Sequence, residues 1–118
     1  MSCKLSVVVV FHNMRREAHR TLFTLSQSYQ RNASDWEVIA IDNGSDAPLE
    51  EGAVRAYGAN FRYRYLETDS VSPVGAVNLG VRLARSPNIA IIVDGARMAT
   101  PNIVGHTLRA LGLFDDPF

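Results

Sequence analysis

The chain predicts an α/β fold, an open, mostly parallel sheet with helices on both faces. Two observations carry this. Apolar strand-like runs recur three times along the 118 residues, with an alternating fourth segment between the second and third, and the first, β-branched and broken only by Ser6, reads as a strand buried on both faces. Between the runs lie segments whose apolar residues return at helical spacing. The resulting order is β-α-β-α-β-α-β-α, which right-handed crossovers fold into a parallel sheet.

The first strand spans residues 5–11 (Leu-Ser-Val-Val-Val-Val-Phe). Asn13 can cap the next segment, where Ala18, Leu22, Leu25 and Tyr29 recur at helical spacing, so residues 14–29 predict a helix. Residues 31–35 read as a turn, and residues 36–41 as a second apolar strand interrupted only by Glu37. That strand runs into Asp42-Asn43-Gly44-Ser45-Asp46, a turn cluster. Pro48 suits the first turn of a short helix over residues 48–57, with Gly58 as its stop. Residues 61–66 (Phe-Arg-Tyr-Arg-Tyr-Leu) alternate, as in an edge strand with one wetter face.

Ser72-Pro73 pairs an N-cap with proline at the first helical position, and Val74, Val77, Val81 and Ala84 form the apolar stripe that follows. Ser86-Pro87 ends it. Residues 89–93 are a fourth buried strand, closing on Asp94-Gly95. Thr100-Pro101 repeats the cap-and-proline signal before a last helix carrying Ile103, Val104, Leu108 and Leu111. The expected strand order is 3-2-1-4. It reverses between strands one and four and opens a crevice at their carboxyl ends, where His12, Asn13, Asp42 and Asp94 fall.

Composition narrows the function. Length and a hydrophobic content of 47% predict one globular domain over residues 1–118. Net charge is zero, which excludes a general electrostatic grip on nucleic acid or an anionic membrane. Arg15, Arg16, Arg20 and Arg31 are a local basic group, or simply a solvated helix face. The single cysteine, Cys3, excludes an internal disulfide and a Cys-x-x-Cys site. The longest apolar run, residues 7–11, is too short to cross a membrane.

The first strand-to-helix turn, His12-Asn13-Met14-Arg15-Arg16, contains no glycine. Dinucleotide folds and P-loops need glycines there to bring backbone against phosphate, so both are disfavoured. No Gly-x-Ser-x-Gly elbow occurs either. Asp42 can accept a hydrogen bond from a base N–H such as the imide of uracil; its alternative role is to cap its own turn. Asp94 can hold a divalent cation or a ribose hydroxyl, or again serve an Asp-Gly turn. Asn78, a poor helix former inside a helix, ties down a loop or contacts a ligand. His19 and His106 have no metal-ligand partner at useful spacing.

Four segments together resemble the family 2 glycosyltransferases of the GT-A fold. They are residues 5–13, 36–45 (with Asp42-Asn43-Gly44-Ser45), 75–84, and 91–96, where the family places its Asp-x-Asp motif. The resemblance covers nearly the whole chain. It implies a nucleotide-diphosphate-sugar site with Phe11, His12, Asn13 and Asp42 around the base, bordered by the loop before the third helix. It also implies Asp94 at the ribose and at a divalent metal, Mn²⁺ or Mg²⁺, bridging the diphosphate. The sugar passes to an acceptor hydroxyl.

Two departures follow. The motif reads Asp94-Gly95-Ala96, so its last carboxylate is missing and a metal keeps one carboxylate at most from this segment. Arg97 is the candidate to supply positive charge to the diphosphate; its alternative is a solvated arginine. Family domains are also roughly twice as long, and no segment here matches the half that carries the acceptor site and catalytic base. The expectation is therefore a nucleotide-binding half-domain, truncated at its C-terminus and inactive alone, open to self-association through uncovered apolar surface. The alternative is a non-catalytic interaction or regulatory module on the same fold. The expected location is the cytoplasmic side, near a membrane where the remaining half carries an anchor.

Overall fold

A computed structural model describes residues 3–30, 35–70, 72–93 and 103–113. The elements run β1 (Leu5–Phe11), α1 (Arg15–Thr24), β2 (Trp36–Asn43), α2 (Glu51–Arg55), β3 (Phe61–Leu66), α3 (Val74–Leu83), β4 (Ile89–Val93) and α4 (Ile103–Leu113). The four strands form one all-parallel sheet in the order β3-β2-β1-β4, as the sequence predicts. Leu5 lies opposite Trp36 and Phe11 opposite Asp42, so β1 and β2 end level with each other.

The central strands are buried along their whole length, because both faces of the sheet are covered. Val7, Val9, Phe11, Val38 and Ala40 face one way, onto Ala18 and Leu22 of α1, Val54 of α2 and Val104 of α4. Val8, Val10, Ile39 and Ile41 face the other, onto Ala76 of α3. Each such fully buried aliphatic side chain contributes roughly 1.5–3 kcal/mol relative to exposure. On the α3 side a Cβ on Gly80 would overlap the side chain of Val8, so glycine lets helix and strand approach closely.

The helices are shorter than predicted, for local reasons. In place of helix, residues 25–30 form turns in which side chains compete with the helical ladder. Ser26 Oγ donates to the Phe23 carbonyl (2.7 Å) and Gln30 Nε2 to the Thr24 carbonyl (2.9 Å). The other end of the buried Gln30 amide accepts the Val104 N–H at 3.1 Å, so this side chain ties the end of α1 to the start of α4. Thr100-Pro101, predicted to start α4, lies outside the described residues. Pro48 precedes α2 rather than opening it, and Gly58 donates to the Arg55 carbonyl just past its end.

Asn13 does not cap α1. No side chain caps that helix, and the Met14 carbonyl accepts its first bond, from Ala18. The Ser72-Pro73 signal is displaced by one residue: Pro73 is the N-cap of α3, its carbonyl accepting the Val77 N–H (2.8 Å), while Ser72 Oγ accepts the Val74 N–H (3.3 Å) from just outside the helix. The predicted stripe of α3 is rotated, however. Ala76 and Gly80 are buried, whereas Val74 and Val81 are exposed. Asn78 is exposed too, with no hydrogen bond to a loop among the described residues, so it does not tie one down.

Predicted as a buried strand, β4 is instead an edge of the sheet among the described residues, with Ile91 and Val93 substantially exposed on the α3 side. Arg15, Arg16 and Arg20 are exposed on α1, as the solvated-face alternative has it; Arg31 lies outside the described residues. No helix among the described residues is long and apolar enough to cross a membrane.

Candidate functional site

The strand order reverses at β1, whose neighbours β2 and β4 lie on opposite sides. In open α/β sheets the carboxyl ends of the strands flanking such a point form the ligand crevice. Here the turn after β1 is stitched to the turn after β2. His12 Nδ1 donates to the Asn43 carbonyl at 2.6 Å, which places the ring proton on Nδ1, since a carbonyl only accepts. Its Nε2 is then free to accept from Asn13 Nδ2 at 3.0 Å.

Asn13 has φ 52°, a left-handed conformation that asparagine tolerates better than most side chains. This turns its main-chain N–H onto Ser45 Oγ (2.8 Å) and its Oδ1 onto the Asp46 N–H (2.9 Å). Gly44, at φ 70°, completes the second turn; a Cβ there would lie 2.6 Å from the Thr68 carbonyl oxygen. The Asp-Asn-Gly-Ser segment therefore carries glycine where both backbone angle and space demand it.

Asp42 is fully buried. Its Oδ1 accepts the Ser45 N–H (3.3 Å), and its Oδ2 accepts the Leu49 N–H (3.2 Å) and the Tyr63 hydroxyl (3.0 Å). Burial, and then the charge and hydrogen bond of Asp42, push the Tyr63 phenol well above its ordinary pKa, which keeps it a proton donor to the carboxylate. Both oxygens of Asp42 are thus engaged by its own chain, Oδ2 twice and Oδ1 once. Phe11 has its side chain in the core, so main chain is what it offers a ligand.

The neighbouring residue stands out. Asn43 is 2% exposed, and its Nδ2 donates to the Ser72 carbonyl at 3.2 Å. Its Oδ1 is buried and has no hydrogen-bond partner among the described residues. An unpaired buried acceptor costs about 1–3 kcal/mol, and functional sites are where such costs are tolerated. Strand alternation could have found it. Asp42 shares its face with Val38 and Ala40, which point at α1, whereas Asn43 shares its face with Ile39 and Ile41, beneath α3 and the loop that precedes it.

The structure brings Phe11, His12, Asn13 and Asp42 to one end of the sheet, with Asn43 beside them. Asp94 and Arg97, the candidates for ribose, metal and diphosphate, lie outside the described residues, as do Gly95 and Ala96. Among the described residues no three His, Cys, Asp or Glu side chains gather into a group that would hold a metal ion.

An all-parallel 3-2-1-4 sheet with its strand order reversing at β1 is consistent with a half-domain of GT-A type. Comparison with known families gives the same class: the family model "Glycosyl transferase family 2" matches residues 6–99. The chain belongs to glycosyl transferase family 2. Comparison with curated proteins found no match.

Proposed function

We propose that the crevice at the carboxyl ends of β1 and β2 binds the nucleotide of a nucleotide-diphosphate sugar, whose sugar passes to an acceptor hydroxyl. Family membership supports the class of donor. The observation that carries the local reading is the unpaired Oδ1 of Asn43, an acceptor held in a dry site by the bond from its own Nδ2 to Ser72. Such an acceptor suits the N–H edge of a base. In this reading Asp42 shapes the turn, Asn43 meets the base with the main chain of Phe11, His12 and Asn13, and Asp94 faces the ribose. Arg97 is the diphosphate contact.

A divalent cation, Mn²⁺ or Mg²⁺, would be held by Asp94 and would stabilise the departing diphosphate. The donor set is thin, one carboxylate beside Ala96, so the proposed base contact does not depend on it.

The test is a thermal-shift titration with UDP, GDP and TDP, each with and without Mn²⁺. One diphosphate is expected to stabilise the fold, by roughly 2.7 kcal/mol at about 100 times its dissociation constant. Asn43→Ala is expected to remove that shift while leaving a cooperative melt. If no diphosphate shifts a cooperatively melting sample, the second reading takes over. That reading, a non-catalytic module on the same fold, is favoured by Ala96 standing where the motif's last carboxylate belongs.

A further inference from the structure

The opposite pole of the sheet carries a second cleft. It lies over the amino ends of β2 and β3 and measures about 660 Å³, within the range of small-molecule sites. Trp36 and Phe61, the first residues of those strands, supply an aromatic wall. Along the eight residues of β2 this pole is roughly 23 Å from the nucleotide crevice, at about 3.3 Å per residue. A ligand here does not touch Asn43 or His12.

Three features of the lining point to one chemistry. First, charge: Arg55, Arg62 and Arg85 all line the cleft. Arg55 is paired with Glu51 (3.0 Å) and Arg62 with Glu37 (2.8 Å). The guanidinium of Arg85 is exposed and has no partner among the described residues. The two acids of the lining are already engaged, Asp35 with Lys4 at 3.9 Å and Glu37 with Arg62. The unspent charge is therefore positive, on a planar fork that matches an oxyanion.

Second, Trp36 Nε1, on a side chain that is almost wholly buried, is a donor without a partner among the described residues. Third, Asn60 Oδ1 is an acceptor without a partner among the described residues, although Asn60 Nδ2 donates to the Trp36 carbonyl at 3.2 Å and holds the two residues together. Both residues line the cleft, and an unpaired donor and an unpaired acceptor in one lining suit a ligand, because proteins otherwise pair such groups.

We propose that this cleft is a second ligand site, for a small organic molecule that carries an oxyanion on a flat apolar body. The body lies along Trp36 and Phe61, the oxyanion meets Arg85, and the polar edge lies against Trp36 and Asn60.

Trp36 is the chain's one tryptophan, so its emission reports on this cleft. The full chain is titrated with phenyl phosphate and with phenylacetate, alongside inorganic phosphate and 2-phenylethanol. A saturable change in Trp36 emission is expected with phenyl phosphate or phenylacetate, and which of the two binds tells phosphate from carboxylate. Arg85→Ala is expected to weaken binding roughly tenfold, the scale of one charge-assisted hydrogen bond. Asn43→Ala is expected to leave it unchanged. Arg85 holds Glu37 through its main-chain N–H (2.7 Å), so truncating the side chain leaves that bond in place. Should Arg85→Ala not melt cooperatively, Asn60→Asp replaces it, expected to weaken binding by adding a negative charge to the cleft lining.

No saturable change with either acid overturns the proposal. So does an equal response to 2-phenylethanol, which needs no oxyanion, or to inorganic phosphate, which has no apolar body. An affinity unmoved by Arg85→Ala or its replacement overturns it as well.

Discussion

Asp42 illustrates how one buried side chain organises a site it need not touch. Its two oxygens take up the Ser45 and Leu49 N–H groups and the Tyr63 hydroxyl, so a single carboxylate sets the path of the chain just after the Asn43 position. Replacing it by alanine leaves three buried donors unpaired. Asp42→Ala is expected to cost about 3 kcal/mol, and Tyr63→Phe, which removes one donor and leaves the acceptor its other bonds, about 1 kcal/mol. Urea denaturation checks this as a fall in midpoint at constant slope. That an aspartate stands at the end of β2 was legible in the sequence. That its carboxylate also takes up the Tyr63 hydroxyl was not, because Tyr63 lies twenty-one positions away.

Among the elements, the strands were legible and the helix faces less so. A parallel strand buried on both sides needs a continuous apolar run, and few other contexts do, so β1 and β2 announce themselves. α3 shows the opposite case. Its valines at 74 and 81 look like a core stripe, but the buried face is the one with the smallest residues, Ala76 and Gly80, because close approach to β1 matters more there than hydrophobic bulk. Gly80→Ala is therefore expected to destabilise the fold by roughly 1–3 kcal/mol through overlap with Val8. Gly52→Ala, on the open face of α2, has space around it and is expected to stabilise by about 0.5–1 kcal/mol from helix propensity. Thermal melts of the two variants should move in opposite directions.

At the scale of the whole molecule, one network joins much of the sheet at its amino end. Glu37 on β2 accepts from Ser6 of β1 (2.6 Å), Arg62 of β3 (2.8 Å) and the Arg85 N–H after α3 (2.7 Å), while Arg62 also holds the Leu83 carbonyl (2.8 Å). Burial alone would raise the Glu37 pKa. The hydrogen bonds from Ser6, Arg85 and Arg62, with the Arg62 charge, outweigh it and leave the carboxyl below its ordinary 4.5. The folded state thus binds this proton more weakly than the unfolded state does. The network's stabilisation is fully present above the unfolded pKa and is lost as pH falls through the folded one. Acid titration of the melting temperature should show a loss beginning just below pH 4.5. Glu37→Gln should flatten that limb, at the cost of lower stability at neutral pH.

The periodicity of the chain by itself determined the element order, the parallel sheet and its 3-2-1-4 arrangement, because burial on both faces and right-handed crossovers leave little choice. It also put His12, Asn13 and Asp42 at one end of that sheet, since every strand of a parallel sheet points the same way. Tertiary structure alone decided which of these side chains turns inward. Asp42 spends its oxygens on Ser45, Leu49 and Tyr63, and Asn43 keeps an acceptor unspent. Likewise Glu37, an apparent interruption of an apolar strand, became the junction of Ser6, Arg62 and Arg85. A residue's type states which bonds it can make, but only its neighbours in space state which of them are already made.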